Sequence, residues 1–151
     1  MNTDQRLSAA VHLLLHMDRE ATPLTSERLA RSMRSNPVVV RRTMAGLRDR
    51  GYVRSAKGRG GGWVVACDLS AVSLLNIYDA LGSPSLFAIG HRTEEPECVV
   101  EQAVNGALGV SFAEAERALV FRLGQVTLKM LSDAVDAGLA ARTGQPIGSK
   151  S

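Results

Sequence analysis

Asn36-Pro37 is the dipeptide that most restricts what this chain can fold into. Asparagine accepts from free backbone N–H groups at a helix start, and proline suits the first helical position, where its missing N–H costs nothing. Gly51 suits the left-handed residue that closes a helix. Between them, Val40, Met44 and Leu47 recur at i, i+4, i+7 and mark one buried face. Val38, Val39, Arg41, Arg42 and Ala45 are left for the other faces. The pattern predicts a helix from Pro37 to about Arg50. Before it, Thr25 is a good N-cap for a short helix with Leu29 and Met33 on its inner side. Two helices joined by a tight turn, the second beginning with small and cationic residues, make a helix-turn-helix candidate.

The next segment supports that reading. Tyr52–Ser55 and Trp63–Val65 are β-prone and flank Lys57-Gly58-Arg59-Gly60-Gly61-Gly62. The arrangement predicts a hairpin after the second helix, hence a winged helix. Glycine permits positive φ and close backbone approach to a phosphate. Lys57 and Arg59 at the tip suit phosphates or a narrow minor groove. Trp63, the single tryptophan, is expected to anchor the hairpin on the apolar body. A plain hairpin turn with incidental cations is the alternative.

Charge points the same way. From Arg31 to Arg59 there are nine cations and one acid, a local +8 in a 151-residue chain whose net charge is +3. A basic patch on an otherwise acidic chain suits a polyanionic partner, or else an arginine-rich solvated surface. No apolar run approaches the roughly 18 residues of a membrane span, and the N-terminus lacks signal-peptide features, so a cytoplasmic protein is expected. Two cysteines, Cys67 and Cys98, are too few for a disulfide framework.

Elsewhere, Leu7, Ala10, Val11, Leu14 and Leu15 predict a first helix over 3–19. Ser73 caps a fourth helix to Leu81, with Leu74, Ile77, Tyr78 and Leu81 inward. A fifth helix is expected from Glu97 to Leu108, closed by Gly109. Ser111-Phe112-Ala113-Glu114 has the form of a capping box and predicts a long helix to about Val135. On it, Leu119, Leu123, Val126 and Met130 step by 4, 3, 4, as on a helix–helix seam. The fold class expected is mainly α with a small β-wing. Its units are a winged helix-turn-helix over 1–68, a regulatory and dimerisation region over 69–136, and a frayed tail over 137–151.

The run SNPVVVRRTMAGLRDRGYVRSAKGRGGGW resembles the signature of the Rrf family of bacterial winged-helix regulators. That family includes the iron–sulfur cluster regulator, the nitric-oxide-sensing repressor and the cysteine-metabolism repressor. The likeness continues through LSAVSLLNIYDALG and FAEAERALVFRLGQVTLKML. It implies a homodimer on a pseudo-palindromic double-stranded DNA operator, acting as a repressor rather than an activator. It also implies base contacts from Asn36, Val38, Val39, Arg41 and Arg42, and backbone or minor-groove contacts from Thr25, Lys57 and Arg59.

One departure matters. Cluster-binding members carry three closely spaced cysteines between the fourth and fifth helices, and this chain has only Cys98 there. No cofactor is expected, because an iron–sulfur site needs several thiolates. The chain resembles the cluster-less branch. Cys98, near a helix N-terminus, is a redox-sensor candidate, opposed by the neighbouring glutamates; an idle or buried thiol is the alternative. A small-molecule signal remains open. His12 and His16 stand i, i+4, as a metal pair or as ordinary helix packing. An enzyme using Cys98 with His91, or a protein-interaction adaptor, are the remote alternatives; no catalytic third group stands at a telling spacing.

Overall fold

The computed structural model describes residues 5–86, 94–95 and 97–144. The chain folds as α1 (Arg6–Asp18), α2 (Ser26–Ser32), α3 (Pro37–Asp49), β1 (Val53–Ala56), β2 (Gly62–Val65), α4 (Leu74–Ala80), α5 (Val99–Gln125) and α6 (Leu128–Thr143). Thr25, Asn36 and Ser73 act as N-caps: their side chains accept from the N–H of Arg28, Val38 and Asn76. Asn76 also returns the bond to Ser73, completing a capping box. Gly51 takes φ 78° after α3, as a closing residue should.

These local starts and stops orient the helices around one core. Leu13 and Leu14 of α1, Leu29 of α2, and Val40, Met44 and Leu47 of α3 are all buried. Val72, Ile77 of α4 and Leu128 of α6 join the same cluster. The two strands pair antiparallel, Val53 opposite Val65 and Ala56 opposite Gly62.

The C-terminal half differs from the sequence expectation. The chain has one helix from Val99 to Gln125 where two were expected, so Gly109 does not end a helix and Ser111 does not begin one. The Ser111 hydroxyl donates to the Ala107 carbonyl one turn back at 2.9 Å, which satisfies a serine inside a helix. The break comes instead at Val126–Thr127, both extended, where Thr127 caps α6. Leu119 and Leu123 therefore lie on α5, Val126 in the elbow, and Met130 on α6; they do not form a stripe on one helix. The region from Ala137, expected to fray, is helical to Thr143. Leu139, Ala140, Ala141 and Arg142 are all good helix formers.

The elbow is strapped to the segment that leaves the wing. Leu74 N–H donates to Val126 O at 2.8 Å, Leu128 N–H to Val72 O at 2.9 Å, and Lys129 N–H to Leu69 O at 3.0 Å. A second tie joins α1 to α6. Arg19 donates to the carbonyls of Leu15 (2.9 Å) and Ser132 (2.8 Å) and to Asp136 Oδ1 (2.8 Å).

Candidate nucleic-acid interface

α3 turns its apolar face to the core, so its first turns offer the opposite face to solvent. Val38 and Val39 are 57% and 50% exposed, a large share for valines in the middle of a domain. Arg41 and Arg42 follow them, also exposed. Asn36 spends its Oδ1 on the Val38 N–H at 2.8 Å, which leaves its amide N–H groups to donate outward. The Thr25 hydroxyl oxygen accepts from Arg28 N–H at 3.2 Å. Thr25 and Asn36 thus cap α2 and α3 at the helix starts nearest these exposed side chains.

The wing is built as expected, with one addition. Gly58, Gly60 and Gly62 adopt φ of 89°, 77° and 154°, conformations L side chains rarely take. A Cβ on Gly62 would stand 2.6 Å from the Leu24 carbonyl, so the glycine also serves close packing. Lys57 and Arg59 are exposed between the strands. Leu24 adds a short third rung: Trp63 N–H donates to Leu24 O at 2.8 Å and Leu24 N–H to Trp63 O at 3.0 Å. The Trp63 indole Nε1 donates to the buried Ser26 hydroxyl at 3.0 Å. The wing is thereby fixed to the start of α2, and the helix-turn-helix and the hairpin present their cations as one body.

Two contributors were not read from sequence. Ser26 anchors the indole, and Glu27 accepts from Arg41 Nη2 at 3.3 Å. Ser26 and Trp63 lie 37 positions apart and Glu27 and Arg41 lie 14 apart, so no local pattern links them. Other cations also have carboxylate partners: Arg48 with Asp49 at 3.3 Å and Arg28 with Glu20 at 3.6 Å.

Of the remaining candidates, Cys98 is the half-buried N-cap residue of α5, and its side chain makes no capping bond. Cys67 packs against the core, and burial pushes its thiol up, with a smaller push from Asp18 and Asp68. The His12 and His16 rings are 4.6 Å apart, in a groove completed by Leu15, Arg19 and Val135. Burial, then His12 and Arg19, lower the His16 pKa, against a weaker opposing pull from Glu20. Among the described residues no group of three or more His, Cys, Asp or Glu side chains could hold a metal ion. His91 lies outside the described residues.

Leu119 and Met130 are 36% and 54% exposed, and no residue of α5 is buried. Its apolar side chains are distributed all round, with Val99, Val100, Val110 and Phe121 each at least 60% exposed. Among the described residues, no helix is long and apolar enough to cross a membrane.

The sequence profile of the Rrf2 family, described as an iron-dependent transcriptional regulator, matches residues 3–134. YwnA of Bacillus subtilis (strain 168), described as an HTH-type transcriptional regulator, is 33% identical over 129 residues, covering 83% of this chain and 93% of that protein. A crystal structure described as a DNA-binding protein superposes with a TM-score of 0.66 at 29% identity, covering 83% of this chain and 97% of the other. A transcriptional regulator from Lactobacillus plantarum superposes with a TM-score of 0.73 at 24% identity, covering 87% and 90%. The iron in the family description meets an unsuitable donor set here. The whole chain has two cysteines, on opposite sides of α4, and an iron–sulfur cluster is held by several thiolates.

Proposed function

The chain belongs to the Rrf2 family of transcriptional regulators, and from that footing we propose that it works in the cytoplasm as a homodimeric repressor of a pseudo-palindromic operator. It is a DNA-binding regulator of the winged-helix kind, not an enzyme. The unit over 1–68 is taken to contact DNA, and that over 69–136 to dimerise and receive the signal. In this reading α3 enters the major groove. Arg41 or Arg42 pairs with guanine O6 and N7, and Val38 or Val39 meets a thymine methyl. Lys57 and Arg59 reach the flanking minor groove or the backbone, with Thr25 and Asn36 at the helix starts. The observation that carries the reading is the Trp63–Ser26 bond, which makes wing and helix-turn-helix a single cationic surface.

The dimer proposal rests on α5. Large apolar side chains left exposed along a helix are ordinarily covered, and a second copy laid along α5 would cover Val110, Phe121 and the groove lined by Ala113, Glu116, Arg117 and Val120. Of the residues expected on the seam, Leu119 and Leu123 lie on α5 and are offered to the same interface, while Val126 and Met130 lie beyond it.

Fluorescence anisotropy on duplex DNA from the gene's own upstream region tests the reading. Tight binding that prefers this duplex over a scrambled one, and weakens with salt, is expected. Equal, weak binding to both would overturn it. Sedimentation of the free protein reads the dimer.

If an oxidant is the signal, the thiol to test is Cys98, because burial raises the Cys67 pKa and so disfavours its reactive thiolate. Peroxide should then release DNA from the native protein and leave Cys98→Ser bound. A response that survives Cys98→Ser points to a small-molecule signal or another group.

A further inference from the structure

Arg41 points its guanidinium at a carboxylate of its own chain. Its Nη2 lies 3.3 Å from Glu27 Oε1, with the two side chains 52% and 60% exposed. An ion pair this open adds little to stability, so its effect is sought in what Arg41 does. Glu27 stands in the first turn of α2, a favourable place for an anion, beside the exposed start of α3. Glu20 and Asp49 already face Arg28 and Arg48.

We propose that Glu27 is a positioning residue for base readout: it holds Arg41 aimed at a base edge and keeps that arginine off the phosphates. The inference deepens the DNA-reading role proposed for α3 and rests on it. A guanidinium has five N–H donors in a fixed fork. Glu27 takes one from Nη2, and the others remain for the paired acceptors of a guanine edge. A long side chain held before binding loses less freedom when it binds. Released, Arg41 would settle on phosphates, which occur at every step and carry no sequence information. Glu27 therefore favours the right duplex in two ways. It prepares the specific contact, and its charge weakens the unspecific one.

The test uses the full chain, native and as Glu27→Gln, Arg41→Ala and the double variant. The probes are a duplex enriched by the native protein from a random-sequence pool and a scrambled duplex. In Glu27→Gln, the ratio of the two affinities should fall by about fivefold, in the range for a lost exposed charge pair beside a base contact. Scrambled-duplex binding should strengthen. Replacing guanine by 7-deazaguanine at the read position should cost the native protein more than Glu27→Gln. In the Arg41→Ala background, Glu27→Gln should leave the ratio unchanged. An unchanged ratio in Glu27→Gln, or an equal fall without Arg41, overturns the role of Glu27 alone. A native protein that enriches no sequence overturns the DNA-reading proposal, and this inference with it. Both side chains are exposed, so thermal midpoints should match native and separate lost aim from lost fold.

Discussion

The indole N–H of Trp63 donates to the hydroxyl of Ser26, 37 residues earlier, at 3.0 Å. Ser26 is buried, so its oxygen has little access to water as a substitute partner. Trp63→Phe keeps an aromatic ring but loses part of the indole's packing against the core and strands that hydroxyl, which alone costs about 1–3 kcal/mol. Ser26→Ala strands the indole N–H instead. The double variant should lose less than the sum, because the two groups share one bond. Urea unfolding followed by circular dichroism reads all three.

Gly62 should tolerate no side chain. Its φ is 154°, and an added Cβ would stand 2.6 Å from backbone atoms of Leu24. Gly62→Ala is expected to destabilise by about 1–3 kcal/mol from strain alone, and to loosen the wing. Gly58→Ala is the comparison: its φ is positive too, but its Cβ would meet open space. It should cost less in the same unfolding experiment.

The wing cations are tested by salt. If Lys57 and Arg59 each neutralise one phosphate, replacing both by Ala should flatten the plot of log affinity against log salt by about 1.8 per protomer. Selectivity among duplexes should hardly change, because phosphate contacts are sequence-independent. Anisotropy titrations at four salt concentrations measure this.

Stability should also respond to acid through His16. Its imidazole titrates below the ordinary value of 6.5 in the folded chain, chiefly because burial disfavours the cation. As pH falls through 6.5, the unfolded chain takes up the proton first. Stability is therefore complete above that range and declines below it, until the folded imidazole is protonated as well. His16→Gln should remove a small part of this slope in chemical denaturation between pH 7.5 and pH 5, compared with native protein, because the side chain is exposed and solvent screens the effect.

Helix α3 and the wing were legible because their signals are local. Thr25, Asn36-Pro37, Ser73 and Gly51 announce helix ends through the chemistry of one or two residues. The C-terminal half was misread for the opposite reason. Ser111 and Gly109 look like helix ends but lie inside α5, and the true break at Val126–Thr127 pairs with Leu69, Val72 and Leu74, more than 50 positions earlier. No periodicity within α5 encodes that pairing. The Glu27–Arg41 contact escaped notice likewise: Arg41 was read as a base contact, Glu27 was not singled out, and the two lie 14 positions apart.

The strap at Val126 and Leu128 makes α5 a lever with one end fixed near the root of the wing. At 1.5 Å per residue, its 27 residues span about 40 Å. A tilt of about 5° about the strap displaces Val99, at the far end, by about 3.5 Å, by the same helix geometry. The reverse also holds. A large, weak push near Val99 would reach Leu69 and Val72 as a small, strong one, so leverage runs from the far end of the helix toward the segment that leaves the wing.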